Sequence, residues 1–335
     1  MRAATRPAAS SSSRRVPVPA PNAEPDYFPP QDGVAYPEML RNSTYHWKRS
    51  SIGVVLGLSL FLLLSAVVTQ AVILLAWVLT EASTTSRLDY YRAALAFERP
   101  SGMLGANLGI AAAIPIAALL MLMLHRVRPR WLASVTGTVR WRYLAACLAV
   151  AVLALGATLW LSGLVEPLPP LGAQPGFWGF LLVIVLTSPL QAAAEEILFR
   201  GYLMQALGSL VAAPWFGVVV SSVVFALLHG TQNLPLFLDR LAFGLLAAVL
   251  VWRTGGLEAS IAAHIVNNVF AYLLAGLTTS IATIRGTREI GWVDAGFDVG
   301  GFALFAVLAY LVAQQMQVAR QVGGLPGLRT GAGLQ

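Results

Sequence analysis

The chain has 335 residues, of which 57% are hydrophobic and 11% are charged, and its formal net charge is +7. A soluble globular domain has about 25% charged residues, so this composition excludes an ordinary soluble protein and indicates an integral membrane protein. The basic residues are almost all arginines, and no basic face with interleaved aromatic side chains indicates a nucleic-acid partner. The single cysteine, Cys147, cannot form an internal disulfide bond.

The two ends of the chain differ in composition from its apolar middle. Residues 1–50 are rich in Pro, Ser, Ala and Arg, which predicts a disordered cytoplasmic tail because such a segment buries too little apolar area to offset its chain entropy. Residues 51–320 are predicted to form a transmembrane bundle, and residues 321–335 a flexible C-terminal tail. The first apolar run starts too late and is too long for a cleavable signal peptide.

Eight apolar segments follow the predicted tail, and most are long enough to cross a bilayer as helices. The sequence therefore predicts an all-α fold, a polytopic membrane helix bundle of about eight transmembrane helices. The predicted spans are residues 52–80, 103–124, 143–165, 177–207, 215–229, 236–252, 257–277 and 301–318.

The loop between the second and third spans carries five arginines and no acidic residue. Cytoplasmic loops carry an excess of Lys and Arg, so this loop is predicted to be cytoplasmic, and eight spans then place both termini in the cytoplasm as well. The preference for arginine over lysine and the lack of organelle signals favour a bacterial plasma membrane. The five arginines are Arg126, Arg128, Arg130, Arg140 and Arg142.

Two glutamates and an arginine interrupt the fourth apolar span, at Glu195, Glu196 and Arg200. Each charged side chain at bilayer depth costs roughly 2.5–3.5 kcal/mol on insertion scales. Such a cluster therefore indicates that these side chains have polar or charged partners and a function. His229 in the fifth span and His264 in the seventh are the two histidines predicted to lie in the membrane interior. Counting residues from the connecting turns places Glu195 and both histidines at comparable depths, which predicts a shared pocket.

The spacing within the fourth span assigns different roles to its two glutamates. Glu196 and Arg200 are four residues apart, so they share a helix face and are predicted to form a supporting ion pair. Glu195 does not lie on that face and is predicted to point towards the fifth and seventh helices, free for chemistry.

The histidines have neighbours at the same spacing of four residues. Phe225 shares a helix face with His229 and is expected to pack against it and orient it. Asn268 shares a face with His264, so an imidazole and a carboxamide are presented together. Asn267 is interpreted as structural.

These side chains predict peptide-bond hydrolysis in one of two versions. In the first, Glu195 with His229 activates a water as a general base, while His264 and Asn268 stabilise the oxyanion, and no cofactor is required. In the second, one divalent metal such as zinc binds Glu195, His229 and His264 and activates the water. The sequence has no His-Glu-x-x-His motif, and it leaves both versions open.

Two other classes of function stay open. Intramembrane carboxylates and histidines also form the proton relays of proton-coupled transporters, but the sequence shows no paired broken helices and no repeat symmetry. A non-catalytic immunity or partner protein on the same scaffold is the third reading, and the completeness of the polar cluster argues against it.

Three ordered motifs resemble those of the CPBP family, which contains the CAAX prenyl endopeptidases and bacterial Abi-type relatives. They are Glu-Glu-x-x-x-Arg from Glu195, Phe-x-x-x-His from Phe225 and His-x-x-x-Asn from His264, and the flanks Leu-Phe-Arg-Gly-Tyr and Arg-Thr-Gly-Gly-Leu match as well. The resemblance covers about residues 177–277. Glu258 departs from it, because an aromatic residue is commoner there in relatives.

The resemblance implies an eight-helix intramembrane endopeptidase that cuts a peptide or membrane-protein substrate near the cytosolic membrane face, from a cytosol-facing cavity. It implies that Glu195 is the catalytic base and His229 its partner. His264 and Asn268 would be the oxyanion pair. Metal-dependent and glutamate-type mechanisms are both compatible with the resemblance.

Overall fold

The computed structural model describes residues 27–324, so the predicted disorder of residues 1–26 and 325–335 lies outside the described part. Within it, seven helices are long and apolar enough to cross a membrane and an eighth is shorter, which confirms the polytopic helical bundle. The helices are α1 Trp47–Thr80, α2 Pro100–His125, α3 Trp141–Val165, α4 Phe177–Val211, α5 Pro214–Leu227, α6 Leu234–Thr254, α7 Glu258–Thr278 and α8 Trp292–Gln315.

Two of the polar segments between the predicted spans contain helix. Short helices span Arg87–Leu95 and Ile281–Gly286, and α8 begins well before the predicted residue 301. The early start has a local cause, since the Asp294 carboxylate accepts a hydrogen bond of 3.0 Å from the backbone N–H of Gly291 and caps the first turn.

The described part of the predicted N-terminal tail is packed against the bundle, which corrects the expectation of disorder up to residue 50. Tyr36 and Met39 are completely buried, and the Tyr36 hydroxyl donates a hydrogen bond to the carbonyl of Leu132. Ala35 pairs with Gln321 in an isolated backbone bridge, so the first residues of the predicted C-terminal tail are ordered too. The apolar side chains near residue 36 stabilise this packing because their surface is removed from water.

Helix α4 lies at the centre of the bundle. It packs against α2 and α7 along its first half and against α1 and α5 near its end. Helices α3, α7 and α8 pack together on one side, and α6 connects α8 to α5. The polar residues of α4 therefore face neighbours on several sides rather than lipid.

Small residues allow α1 and α2 to approach closely. Gly105 and Gly109 of α2 are four residues apart, and a Cβ atom on Gly109 would lie 2.5 Å from the Ser65 carbonyl oxygen and from Thr69 Oγ1 of α1. The hydroxyls of Ser65 and Thr69 donate to the Gly109 and Gly105 carbonyls, at 3.0 and 3.1 Å. This contact has the small-xxx-small form of helix pairs in membranes.

One end of the bundle carries most of the basic side chains, and we call it the arginine-rich end. The starts of α1, α3, α5 and α7 and the ends of α2, α4, α6 and α8 meet there. Backbone hydrogen bonds join its loops, from Val135 to the Gly255 carbonyl at 2.8 Å and from Leu257 to the Ala133 carbonyl at 3.0 Å. Its basic residues are Arg41, Lys48, Arg49, Arg126, Arg128, Arg130, Arg140, Arg142, Arg253 and Arg320.

A buried ion pair fixes this end. Arg140, before α3, donates from Nε to Glu258 Oε1 at 2.8 Å and pairs through Nη2 with Glu258 Oε2 at the start of α7. Its Nη1 donates to the carbonyls of Thr254 and Ala319, at 2.8 and 3.0 Å. One guanidinium therefore connects α3, α6, α7 and the segment after α8, which gives Glu258 a structural role.

We expect Glu258→Ala to lower the free energy of unfolding by about 3–5 kcal/mol, because it leaves the Arg140 cation buried without its carboxylate. The matched control is Glu81→Ala, whose partner Arg99 is 31% exposed. This partly exposed pair should contribute less than the more deeply buried Arg140–Glu258 pair, so the control should lose less stability than Glu258→Ala. Thermal unfolding in detergent measures both, and equal stability losses would contradict the role given to Glu258.

Candidate functional site

The polar residues of α4 lie where the helix changes its winding. The α-helical part runs from Phe177 to Glu196, a π-helical segment spans Ile197–Leu203, and α-helix resumes at Met204. π-Helical turns inside α-helices occur frequently at functional sites. Here the wider turn follows directly after the two glutamates and contains Arg200.

Glu196 binds two partners through one oxygen atom. Arg200 Nη1 lies 2.9 Å from Glu196 Oε1, as the spacing of four residues predicted, and His264 Nδ1 lies 2.8 Å from the same oxygen. Glu196 and Arg200 have no exposed surface. The predicted ion pair is therefore present, but Glu196 also holds a ring of α7.

Aromatic rings complete the surroundings of Arg200. Its guanidinium carbon lies 4.1 Å from the centre of the Phe225 ring and 5.4 Å from the centre of the Phe243 ring. Both rings also meet His264 edge to face, with centroid distances of 6.1 and 5.1 Å. Cation–π contacts of this kind stabilise a cation that is removed from water.

His264 lies between the two glutamates. Its Nδ1 meets Glu196, and its Nε2 lies 3.4 Å from Glu195 Oε2. An ionised carboxylate only accepts hydrogen bonds, so Nδ1 must carry the proton in the bond to Glu196, and Nε2 is directed to Glu195. Glu195 and His264 are 9% and 5% exposed, which leaves a small opening to the site.

His229 lies beyond the end of its helix, which corrects the predicted span. Helix α5 ends at Leu227, and His229 belongs to the following loop and is exposed. Its Nδ1 donates to the Phe225 carbonyl at 2.8 Å, and its ring lies 4.7 Å from the Phe225 ring. Phe225 therefore orients His229 as expected, and the Nε2 atom of His229 is left as the acceptor.

Asn268 is held by a glutamine that the sequence reading did not single out. Asn268 Nδ2 donates to Gln191 Oε1 at 2.8 Å, and Asn267 Nδ2 lies 3.3 Å from Asn268 Oδ1. Gln191 is 5% exposed and lies four residues before Glu195, so both face the same neighbours from α4. The sequence did contain a signal for this contact, namely a lone glutamine in an apolar span, one helical turn before a glutamate.

The geometry does not provide a metal site. Among residues 27–324, no three His, Cys, Asp or Glu side chains are grouped to hold one metal ion. Glu195, His229 and His264 thus do not fit the ligand set of the metal version. The arrangement supplies a carboxylate, two imidazoles and a carboxamide, which suit the handling of protons and of a developing oxyanion.

Comparison with known proteins identifies similarity over this part of the chain. Residues 177–270 match the family model described as type II CAAX prenyl endopeptidase Rce1-like. The chain is also similar to the uncharacterized protein YyaK of Bacillus subtilis (strain 168), with 29% identity over 147 residues, 40% of this chain and 48% of the relative. The chain thus spans about half the length of that curated relative. No solved structure matches.

We expect Arg200→Ala to lower the free energy of unfolding by about 3–5 kcal/mol, because the buried Glu196 carboxylate then has no arginine cation beside it. Glu195→Gln, one residue before Glu196, is the matched control and should change stability little, since Glu195 forms no close ion pair with arginine. Thermal unfolding of both variants in detergent provides the comparison. Equal unfolding temperatures would show that the Glu196–Arg200 pair does not support the fold.

Proposed function

We propose that this chain hydrolyses a peptide bond within the membrane by a glutamate-activated water. The proposal draws on the match of residues 177–270 to the Rce1-like family of type II CAAX prenyl endopeptidases. The observation that carries the proposal is the buried His264, which bridges Glu195 at 3.4 Å and Glu196 at 2.8 Å. A buried ion pair thereby fixes the ring next to the carboxylate that would act as the base.

The reaction starts with a water between Glu195 and His229. Glu195 takes one proton while the water oxygen attacks the carbonyl carbon of the peptide bond. The Nε2 atom of His229 accepts a hydrogen bond from the same water, because its Nδ1 proton is engaged by the Phe225 carbonyl. Glu195 and His229 together would then hold the water, which fixes the direction from which it attacks the carbonyl carbon.

The tetrahedral intermediate carries a negative oxygen, which Asn268 and His264 stabilise. Asn268 has two amide protons, and Gln191 accepts only one of them, so the second is free for the oxyanion. His264 Nε2, which is directed to Glu195, is the second donor to the oxyanion when it carries a proton. When the intermediate collapses, the C–N bond breaks and Glu195 passes its proton to the leaving amine.

The proposed substrate class rests on where these side chains lie in the bundle. Glu195, His264 and Asn268 are on transmembrane helices, so the cleaved bond belongs to a peptide or to a membrane-protein segment that enters the bilayer. The chemistry is the same whichever membrane face the pocket opens to, and the cytosolic access that the resemblance implies stays a prediction.

We expect Glu195→Gln to reduce cleavage at least about 10²-fold without lowering the unfolding temperature, because an amide cannot accept the proton. The substrate is first identified as a polypeptide shortened only in membranes that contain the protein. Glu166→Gln in an exposed loop is the control and should cleave like the parent. Cleavage at the parental rate by Glu195→Gln would refute the assignment of Glu195 as the base. Inhibition by a chelator that zinc reverses would favour the metal version.

Two adjacent asparagines allow a matched test of the oxyanion donor. Asn268→Ala should lower kcat about 10²–10³-fold with little change in KM, as the loss of one oxyanion donor does in other hydrolases. Asn267→Ala, which removes a 3.3 Å contact to Asn268, should have a much smaller effect. Equal effects of the two changes, or an effect confined to KM, would contradict the assignment.

A further inference from the structure

One face of α4 carries a polar residue in each of the two turns before the catalytic glutamate. Thr187, Gln191 and Glu195 are spaced four residues apart, so they lie in one row along the helix. Each of the three is at most 9% exposed. The proposed reaction uses Glu195 directly, and the question is what the other two side chains contribute.

Thr187 and Gln191 each accept a hydrogen bond from an asparagine of another helix. Asn107 Nδ2 of α2 donates to Thr187 Oγ1, and Asn268 Nδ2 of α7 donates to Gln191 Oε1, both at 2.8 Å. The two bonds have the same length and both acceptors are buried, but only the second bond comes from a side chain of the candidate site. A difference in activity between their removals therefore reports on the site rather than on helix packing.

The carboxamide of Asn268 is held at both of its polar atoms. Its Oδ1 accepts from Asn267 Nδ2 at 3.3 Å, and its Nδ2 donates to Gln191 Oε1 at 2.8 Å. The bond to Gln191 is the shorter one and connects α7 to α4, whereas Asn267 is the preceding residue of the same helix. Gln191 is therefore the firmer anchor of this amide.

The orientation of the Asn268 amide decides whether it favours or opposes an oxyanion. The outer torsion of asparagine is broad and roughly two-fold, so an unanchored carboxamide can exchange the places of its N–H and C=O groups. An N–H group directed at the developing negative oxygen stabilises it, whereas a carbonyl oxygen in the same place repels it. An acceptor that binds one amide proton keeps the favourable orientation and leaves the second proton for the oxyanion.

Glutamine suits this position because its acceptor oxygen carries no charge. A carboxylate there would stand four residues before Glu195 and add a negative charge beside it, and like charges at that spacing are unfavourable in a helix. A buried amide in an apolar helix is itself costly unless it is hydrogen-bonded. The bond to Asn268 therefore satisfies Gln191 and orients Asn268 at the same time.

We infer that Gln191 is a positioning residue of the proposed hydrolase, which accepts a hydrogen bond from Asn268 and so keeps an amide N–H directed at the oxyanion. Gln191 acts through Asn268 and not on the substrate. The inference deepens the proposed function and rests on it, because it requires Asn268 to be an oxyanion donor.

Gln191→Met removes the acceptor while it keeps a side chain of similar length. We expect kcat to fall about 10- to 100-fold with little change in KM, because a misplacement of about 1 Å in a catalytic group can have an effect of this size. Thr187→Val is the matched control, since it removes the bond from Asn107 and should leave kcat at the parental value. Gln191→Asn, whose amide ends one methylene short of Asn268, should reproduce the loss of kcat and guards against a folding defect specific to methionine.

Parental kcat in Gln191→Met, or an equal loss of kcat in Thr187→Val, would overturn the inference. A double variant separates positioning from packing: if Gln191 acts only through Asn268, adding Gln191→Met to Asn268→Ala lowers kcat no further. A further loss as large as that of Gln191→Met alone would show independent action and also overturn the inference. The proposed function fails in a different way, namely when Glu195→Gln cleaves at the parental rate, whereas failure of this inference alone leaves the losses in Glu195→Gln and Asn268→Ala in place.

Discussion

The structure around the site depends on one buried carboxylate, Glu196, that serves two helices. It balances the charge of Arg200, whose removal from water would otherwise be costly, and it holds the Nδ1 atom of His264 on α7. An ion pair that only joined residues of one helix would stabilise that helix locally. Because the same oxygen binds His264, the pair also sets where the imidazole stands relative to Glu195.

Under the proposed hydrolysis, two adjacent residues have different roles, Glu196 in support and Glu195 in chemistry. Glu196 is completely enclosed and bound, while Glu195 has a small exposed surface and one imidazole contact at 3.4 Å. The aromatic rings of Phe225 and Phe243 contact Arg200 and His264, whereas Glu195 keeps 9% of its surface exposed and His229 is exposed. A base with restricted access to water suits a hydrolase that works inside a membrane.

The sequence predicted most of this arrangement, and its failures have physical causes. Long apolar runs define membrane helices through their length, and a spacing of four residues was enough to pair Glu196 with Arg200. The contact of His264 with Glu196 was missed because it depends on the rotation of α7 against α4, which spacing within one helix does not determine. Burial of Tyr36 and Met39 was missed because their partners are distant in sequence, and the Pro- and Ser-rich residues before them dominated the composition.

The central proposal is that Glu195 and His264 act as one unit in the hydrolysis, with Glu195 on the attacking water and His264 on the oxyanion. The most direct test measures cleavage rates for Glu195→Gln, His264→Ala and the double variant under single-turnover conditions. If the two side chains form one unit, the double variant will be about as slow as the slower single variant, because either change already disables the unit. A double variant whose loss equals the product of the two single losses would show independent action and contradict the account.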